Sequence, residues 1–125
     1  MTMRNKPQQF GQRAEAMAVR YLKKCGYKIL ERNYRNRNGE IDIIAREGET
    51  LVFVEVKARS SERFGSAKAA VTAHKQRQVS KVALGYLKMT AQSGVKARFD
   101  VVTVNRREGR HAIHLIRNAF GLAYG

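Results

Sequence analysis

Three residues in the first half of the chain have the types and the spacing for phosphoryl chemistry. Asp42 lies inside one apolar run, IDIIA, and Glu55 inside another, LVFVEV, with Lys57 two positions further on. Carboxylate oxygens from two neighbouring strands suit Mg²⁺ or Mn²⁺, which take few protein carboxylates and fill the rest of their sphere with water and phosphate. A lysine beside them is placed to position or deprotonate an attacking water and to stabilise developing negative charge.

The spacing brings these residues together. Glu47-Gly48-Glu49-Thr50 between the two runs is a turn, and a two-residue or a four-residue loop gives the same antiparallel register, in which opposed residue numbers sum to 97. Asp42 then opposes Glu55, and Glu40 opposes Lys57. Opposed residues share a face with Cβ atoms roughly 4.5–5.5 Å apart. The other face would carry Ile41, Ile43, Ala45, Val52, Val54 and Val56 and no polar side chain, and a one-residue slip would scramble both faces. Two carboxylates side by side on a sheet need a cation, a shared proton or basic neighbours. The plain alternative to a metal site is therefore an ion cluster of Glu40, Asp42, Glu55 and Lys57, with Arg59 close behind.

Other chemistries are poorly served. His111 and His114 fall on opposite faces of a strand, and His74 is distant, so no zinc site follows. Neither phosphate-cradling glycine motif occurs. Cys25 closes an apolar helix face as a core residue.

The elements that must hold the carboxylates follow from periodicity. Residues 10–25 have helical spacing, with Gly26 as the stop. Residues 27–34, 40–46 and 51–59 are strands. Residues 66–71 form a helical turn, and Thr72 caps a helix running to about Gln92. Strands follow at 99–105 and, at an edge, 111–117. The order α-β-β-β-α-β-β, with a crossover between the strands at 51–59 and 99–105, predicts an α/β sandwich around a mixed sheet. One domain is expected over residues 1–125, with 1–9 a flexible basic N-terminus and 118–125 a C-terminal tail.

On the second helix His74, Arg77, Lys81 and Lys88 follow one face and suit phosphate contacts. Such a face is equally compatible with plain solvation. Lys75 falls instead on the buried stripe near the helix start, from which it reaches the site or snorkels out. Asp100, in RFDVV, is expected to partner Arg98 or cap a helix.

Asp42, twelve residues, then Glu55-Val56-Lys57 resembles the PD-(D/E)xK nuclease motif, with Ile41 in place of the proline. Together with GQRAE (11–15), GEID (39–42), FVEVK (53–57), Phe64-Gly65 and Lys75, the sequence is similar to the YraN family over roughly residues 10–105. That family is uncharacterised and is thought to be related to Holliday junction resolvases. The resemblance implies a restriction-endonuclease-like α-β-β-β-α-β core with helices on both faces. It also implies that the Val56 carbonyl completes the metal sphere and that Glu15 is an auxiliary ligand. Glu15 borders the buried stripe of its helix and finds no ion-pair partner three or four residues away; as a plain alternative it is a first-turn acid favoured by the helix dipole.

Composition bounds the partners. The 125 residues hold 25 Lys+Arg against 10 Asp+Glu, for a formal net charge of +15. Residues 63–125 carry 12 basic and 2 acidic residues, so the second half is the more cationic. A polyanion, above all nucleic acid, is the expected partner. One cysteine excludes an intrachain disulfide and fits a reducing cytoplasm, no apolar run is long enough to span a bilayer, and residues 1–10 lack the apolar stretch of a secretory signal. The expectation is a cytoplasmic Mg²⁺- or Mn²⁺-dependent endonuclease on nucleic acid, DNA before RNA and branched forms among the candidates. Asp42, Glu55, Lys57 and Glu15 would be its catalytic residues, and Lys75, Arg77, Lys81, Lys88 and Arg59 its nucleic-acid contacts. The alternative is a non-catalytic basic nucleic-acid-binding module. A homodimer is left open.

Overall fold

The structure, a computed structural model, describes residues 6–59 and 71–122. In chain order it comprises α1 (Lys6–Lys24), β1 (Lys28–Asn36), β2 (Gly39–Glu47), β3 (Thr50–Arg59), α2 (Ala73–Met89), β4 (Ala97–Arg107) and β5 (Arg110–Phe120). The strands form one sheet in the order β1-β2-β3-β4-β5. All neighbouring pairs are antiparallel except β3 and β4, which α2 connects in parallel. This is the mixed-sheet α/β fold and the element order expected of a restriction-endonuclease-like core.

The helices lie on opposite faces because each strand alternates its apolar side chains. Phe10, Ala14, Ala18 and Leu22 of α1 pack on Ile43, Ala45, Val52, Val54, Val102 and Val104. Val79, Val82, Ala83 and Tyr86 of α2 pack on Ile44, Leu51, Phe53, Phe99 and Val101. The end of α1 is set by Gly26, at φ 92°. The Tyr27 amide donates to the Leu22 carbonyl at 2.9 Å and the Gly26 amide to Lys23 at 3.0 Å, a paired closure with Leu22 and Tyr27 both buried. Thr72 caps α2 as expected, its hydroxyl accepting from the Lys75 amide at 3.1 Å.

Three expectations shift. α1 begins at Lys6, inside the stretch expected to be a flexible tail, because Pro7 falls in the first turn, where a missing amide costs nothing. β5 runs through Phe120, inside the expected C-terminal tail, because Ala119 and Phe120 are buried and Phe120 stacks on Phe99 with centroids 4.8 Å apart. α2 stops at Met89 rather than near Gln92, where the Thr90 hydroxyl donates back to the Tyr86 carbonyl at 2.8 Å. The helical turn expected at 66–70 and Phe64-Gly65 lie outside the described residues.

On the α1 face, Asp100 is fully buried and accepts from the Tyr27 hydroxyl at 2.7 Å, Arg98 Nε at 2.9 Å and the Asn118 amide at 2.9 Å. Every strong donor around it is matched, so the carboxylate is a structural partner of Arg98, as its sequence context suggests. Burial and the adjacent carboxylate push the Tyr27 hydroxyl up to about 12.

The tip of the β1–β2 hairpin is fastened to α2. Asn36 Nδ2 donates to the Val82 carbonyl at 3.3 Å, and its amide is close enough to Gly85 that a Cβ there would lie 2.9 Å from it. Gly39 has φ 141°, and a Cβ on it would stand 2.9 Å from Gln78 Nε2. Gly39→Ala is therefore expected to cost about 1–3 kcal/mol of stability, mostly as backbone strain, since the Gln78 side chain can swing aside. Urea denaturation measures this; an unchanged midpoint would show that the turn accepts a side chain.

Candidate active site

The site grows from an interruption in the β2–β3 ladder. Backbone pairing follows the expected register from Glu47↔Thr50 to Ile43↔Val54. At the next position the Val56 amide donates to Asp42 Oδ2 at 2.9 Å, so a side chain takes the place of a backbone acceptor. Across β1, Arg32 pairs with Ile43 and Tyr34 with Ile41, while Asn33 between them adopts φ 53°. This distortion corrects one expectation. Ile41 packs with Ile44 in the α2-side core rather than with Ile43 and Ala45 on the α1 side, so strict alternation fails across Asp42.

The consequence is that Asp42 and Glu55 meet. The two carboxyls are hydrogen-bonded to each other. Glu55 is only 4% exposed, and its Oε1 has no hydrogen-bond partner among the described residues. Burial, then the Asp42 charge, pushes Glu55 up to about 8, against the pull of Lys75 and Lys57. Burial also raises Asp42, opposed first by the Val56 amide. Glu55 is thus the carboxyl that keeps its proton near neutral pH, while the Val56 N–H favours the charged form of Asp42.

Two lysines frame this centre. Lys57, half-buried and two residues beyond Glu55, acts electrostatically on Glu55. Lys75, half-buried in the first turn of α2, acts on both carboxylates, so the sequence stripe that aimed it inward placed it at the site. Of the ion cluster raised as the plain alternative, Glu40 pairs with Arg35, 2.9 Å away, while still acting on Asp42, and Lys57 acts on Glu55.

Glu15 is not drawn into the pair. Its Oε1 accepts from Asn33 Nδ2 at 3.0 Å and from Arg32 at 3.3 Å. It therefore fastens α1 to the distorted stretch of β1 that faces Asp42. Among the described residues no third His, Cys, Asp or Glu joins the pair. The Val56 contribution seen here is its amide, which orients Asp42. Arg59 is half-buried at the end of β3, and Arg77, Lys81 and Lys88 are exposed along α2.

Sequence reasoning passed over Thr103 and Asn105. They stand beside Lys57 and Arg59 in the parallel β3–β4 pairing, and both are buried. Asn105 Oδ1 is a second buried polar atom without a partner. The signal was present in VVTVN, where polar residues alternate with valines in a strand otherwise made for a core.

Two hard oxygen donors, one of them orphaned in a buried setting, match the donor set of a small divalent cation, which would replace the Glu55 proton. Asp42 and Glu55 are the side chains that would hold it. Among the described residues no His or Cys joins the pair to form a metal-holding group.

Residues 14–104 match the uncharacterised protein family UPF0102. Similar chains include a UPF0102 protein of Desulfosudis oleivorans, 53% identical over 118 residues and covering 94% of both chains. Another, from Geobacter metallireducens, is 50% identical over 124 residues, which is 99% of this chain and 100% of that one. A solved structure of SfsA from Pyrococcus furiosus in complex with Ca²⁺ aligns with 89% of this chain and 63% of its own, at 11% identity and a TM-score of 0.42. Among the described residues no helix is long and apolar enough to cross a membrane.

Proposed function

The chain belongs to the uncharacterised protein family UPF0102, the family its motifs resemble, and from the site it carries we propose that it is a divalent-metal-dependent phosphodiesterase acting on nucleic acid, DNA in the first place. The observation that carries this reading is the buried Asp42–Glu55 pair with an orphaned carboxylate oxygen, set in a chain of net charge +15. A module that only bound phosphate would gain nothing from two carboxylates on its cationic face, since they repel the ligand.

Mg²⁺ or Mn²⁺, when bound, supplies a Lewis acid that polarises the scissile phosphate and lowers the pKa of water. The protein's own groups do the rest. The Val56 amide fixes Asp42 before substrate arrives, which spares reorganisation during the reaction. Glu55 and Asp42 would hold the cation as carboxylates, the proton Glu55 carries in the metal-free protein passing to solvent. Lys57 orients the attacking water and stabilises charge building on the phosphate. Lys75, from the first turn of α2, draws the phosphate down onto the pair.

The second reading, a non-catalytic nucleic-acid-binding module, is favoured by one observation: no third acidic side chain completes the site among the described residues. A panel of junctions, flaps, single strands, duplexes and RNA hairpins, incubated with Mg²⁺ or Mn²⁺, separates the two. At least one substrate is expected to be cut by the wild type and spared by Glu55→Gln. Binding to the panel without any cleavage would overturn the enzymatic reading in favour of the second.

A further inference from the structure

The basic residues of α2 line a trough away from the carboxylate pair. It lies between the tip of the β1–β2 hairpin and the outer face of α2. Its first part, about 310 Å³, is lined by Arg37, Asn38, His74, Arg77, Gln78 and Lys81. A second hollow, about 570 Å³, shares Arg37 and Asn38 as lining and is lined further along α2 by Tyr34, Gly85, Lys88 and Met89. From His74 to Lys88 the helix advances about 21 Å. Five residues that are or can become cationic line this length, and among the described residues no acid does.

The two walls are held in register. Gln78 packs on Gly39, and Asn36 bonds Val82 and rests against Gly85. The trough is therefore a fixed feature between two secondary-structure elements. The same elements carry the site: Gly39 is three residues before Asp42 on β2, and Lys75, which acts on both carboxylates, lies in the same helical turn as His74 and Gln78.

Its lining also distinguishes the form of nucleic acid. Beside the cations, in the second hollow, stand two apolar surfaces. One is the Tyr34 ring, half-buried and braced edge-on by Tyr86 at 5.0 Å; the other is Met89, 81% exposed. A duplex offers phosphates at its rim and keeps its bases stacked inside, so it makes little use of an apolar surface set beside phosphate contacts. An unpaired strand offers both, and cationic grooves with aromatic rests are the means by which proteins hold single strands. We propose that the trough between α2 and the β1–β2 hairpin binds a single-stranded nucleic-acid segment and leads it to Asp42 and Glu55. The preferred substrate class is then a strand with an unpaired end or flap, an assignment that rests on the phosphodiesterase reading for its catalytic half only.

Binding measured in EDTA keeps the two halves apart. Fluorescence anisotropy compares a labelled single-stranded oligonucleotide with a blunt duplex of the same sequence, using polyglutamate as competitor. The wild type is expected to hold the single strand about tenfold more tightly than the duplex. Arg37→Glu with Lys81→Glu, both exposed positions, is expected to lose most of that affinity and to flatten the salt dependence by about 1.4 log units per log unit of salt, two phosphate contacts at about 0.7 each. Met89→Ala is expected to weaken single-strand binding several-fold with the salt dependence unchanged, a separation that general charge attraction would not give. Circular dichroism melting of each variant confirms that it folds; should the double variant melt lower, Lys88→Glu replaces it. Equal affinity for strand and duplex, indifference of the variants, or displacement by polyglutamate as effective as by unlabelled strand would each overturn the trough. A protein that binds this way and cuts nothing keeps the trough and loses the phosphodiesterase. One that cuts duplexes and holds single strands no better loses the trough alone.

Discussion

Metal-free protein is expected to lose stability as the pH is raised from about 5 to beyond 8, and to regain it when Mn²⁺ is added. In the unfolded chain Glu55 titrates near the ordinary glutamate value; in the folded chain it is pushed up to about 8. Between those values the folded state binds the additional proton, so the stability of the native state falls with rising pH and levels off above pH 8. The sign is that of a raised pKa: the contribution is complete below the unfolded value and gone above the folded one. Its size is a few kcal/mol, which for a chain of this length moves the melting temperature by about 10 °C.

A cation bound only by the folded form adds RT ln(1 + [L]/Kd), about 2.7 kcal/mol at a hundredfold excess over Kd. Because it displaces the Glu55 proton, its affinity rises with pH through the same window. Mn²⁺ should thus stabilise most where the metal-free protein is weakest. Asp42→Asn isolates the cause. The amide oxygen still accepts from the Val56 N–H, while the like charge beside Glu55 is gone, so the alkaline loss shrinks and metal-free stability holds or rises. The Mn²⁺ shift nearly disappears with the lost ligand. Melting both proteins at pH 6 and pH 9, with and without Mn²⁺ at matched ionic strength, reads all of these. A wild type that does not shift with Mn²⁺ at either pH, with an Asp42→Asn variant that melts lower, would falsify the metal site.

How far these features were legible follows from their range. The β2–β3 register was legible because the turn at Glu47-Gly48-Glu49-Thr50 and the apolar alternation around it are local, and both give one pairing. The break at Asp42 was not, because it depends on Asn33, nine residues away on β1, adopting a left-handed backbone. Lys75 could be aimed from helix periodicity alone. Glu15 could not, since Arg32 and Asn33 meet it only once α1 has docked on the sheet. The second wall of the trough was hidden for the same reason. Arg37 and Asn38 look like ordinary turn residues until Asn36 and Gly39 fasten the hairpin to α2. The burial of Thr103 and Asn105 likewise depends on the parallel β3–β4 pairing, a contact between residues more than forty positions apart.

The carboxylates and the lysine should separate in a way that tests the chemistry itself. Glu55→Ala is expected to abolish both the Mn²⁺ stabilisation and cleavage, because a ligand is lost. Lys57→Ala is expected to reduce single-turnover cleavage by about 10²–10⁴-fold, the range of a positioned proton-transfer or charge-stabilising group, while retaining the Mn²⁺ shift. Lys57 is among the groups that hold the Glu55 pKa down, so its removal raises that pKa further and the Mn²⁺ shift appears at higher pH than in the wild type. That displacement is a readout that a merely misfolded variant would not give. Lys57→Arg then divides the two roles of the lysine. A guanidinium keeps the charge but does not deprotonate water, so recovery of the rate marks charge stabilisation and continued loss marks a base. If Lys57→Ala cleaves as fast as the wild type, the lysine has no part in turnover, and the mechanism must rest on the carboxylates and Lys75 alone.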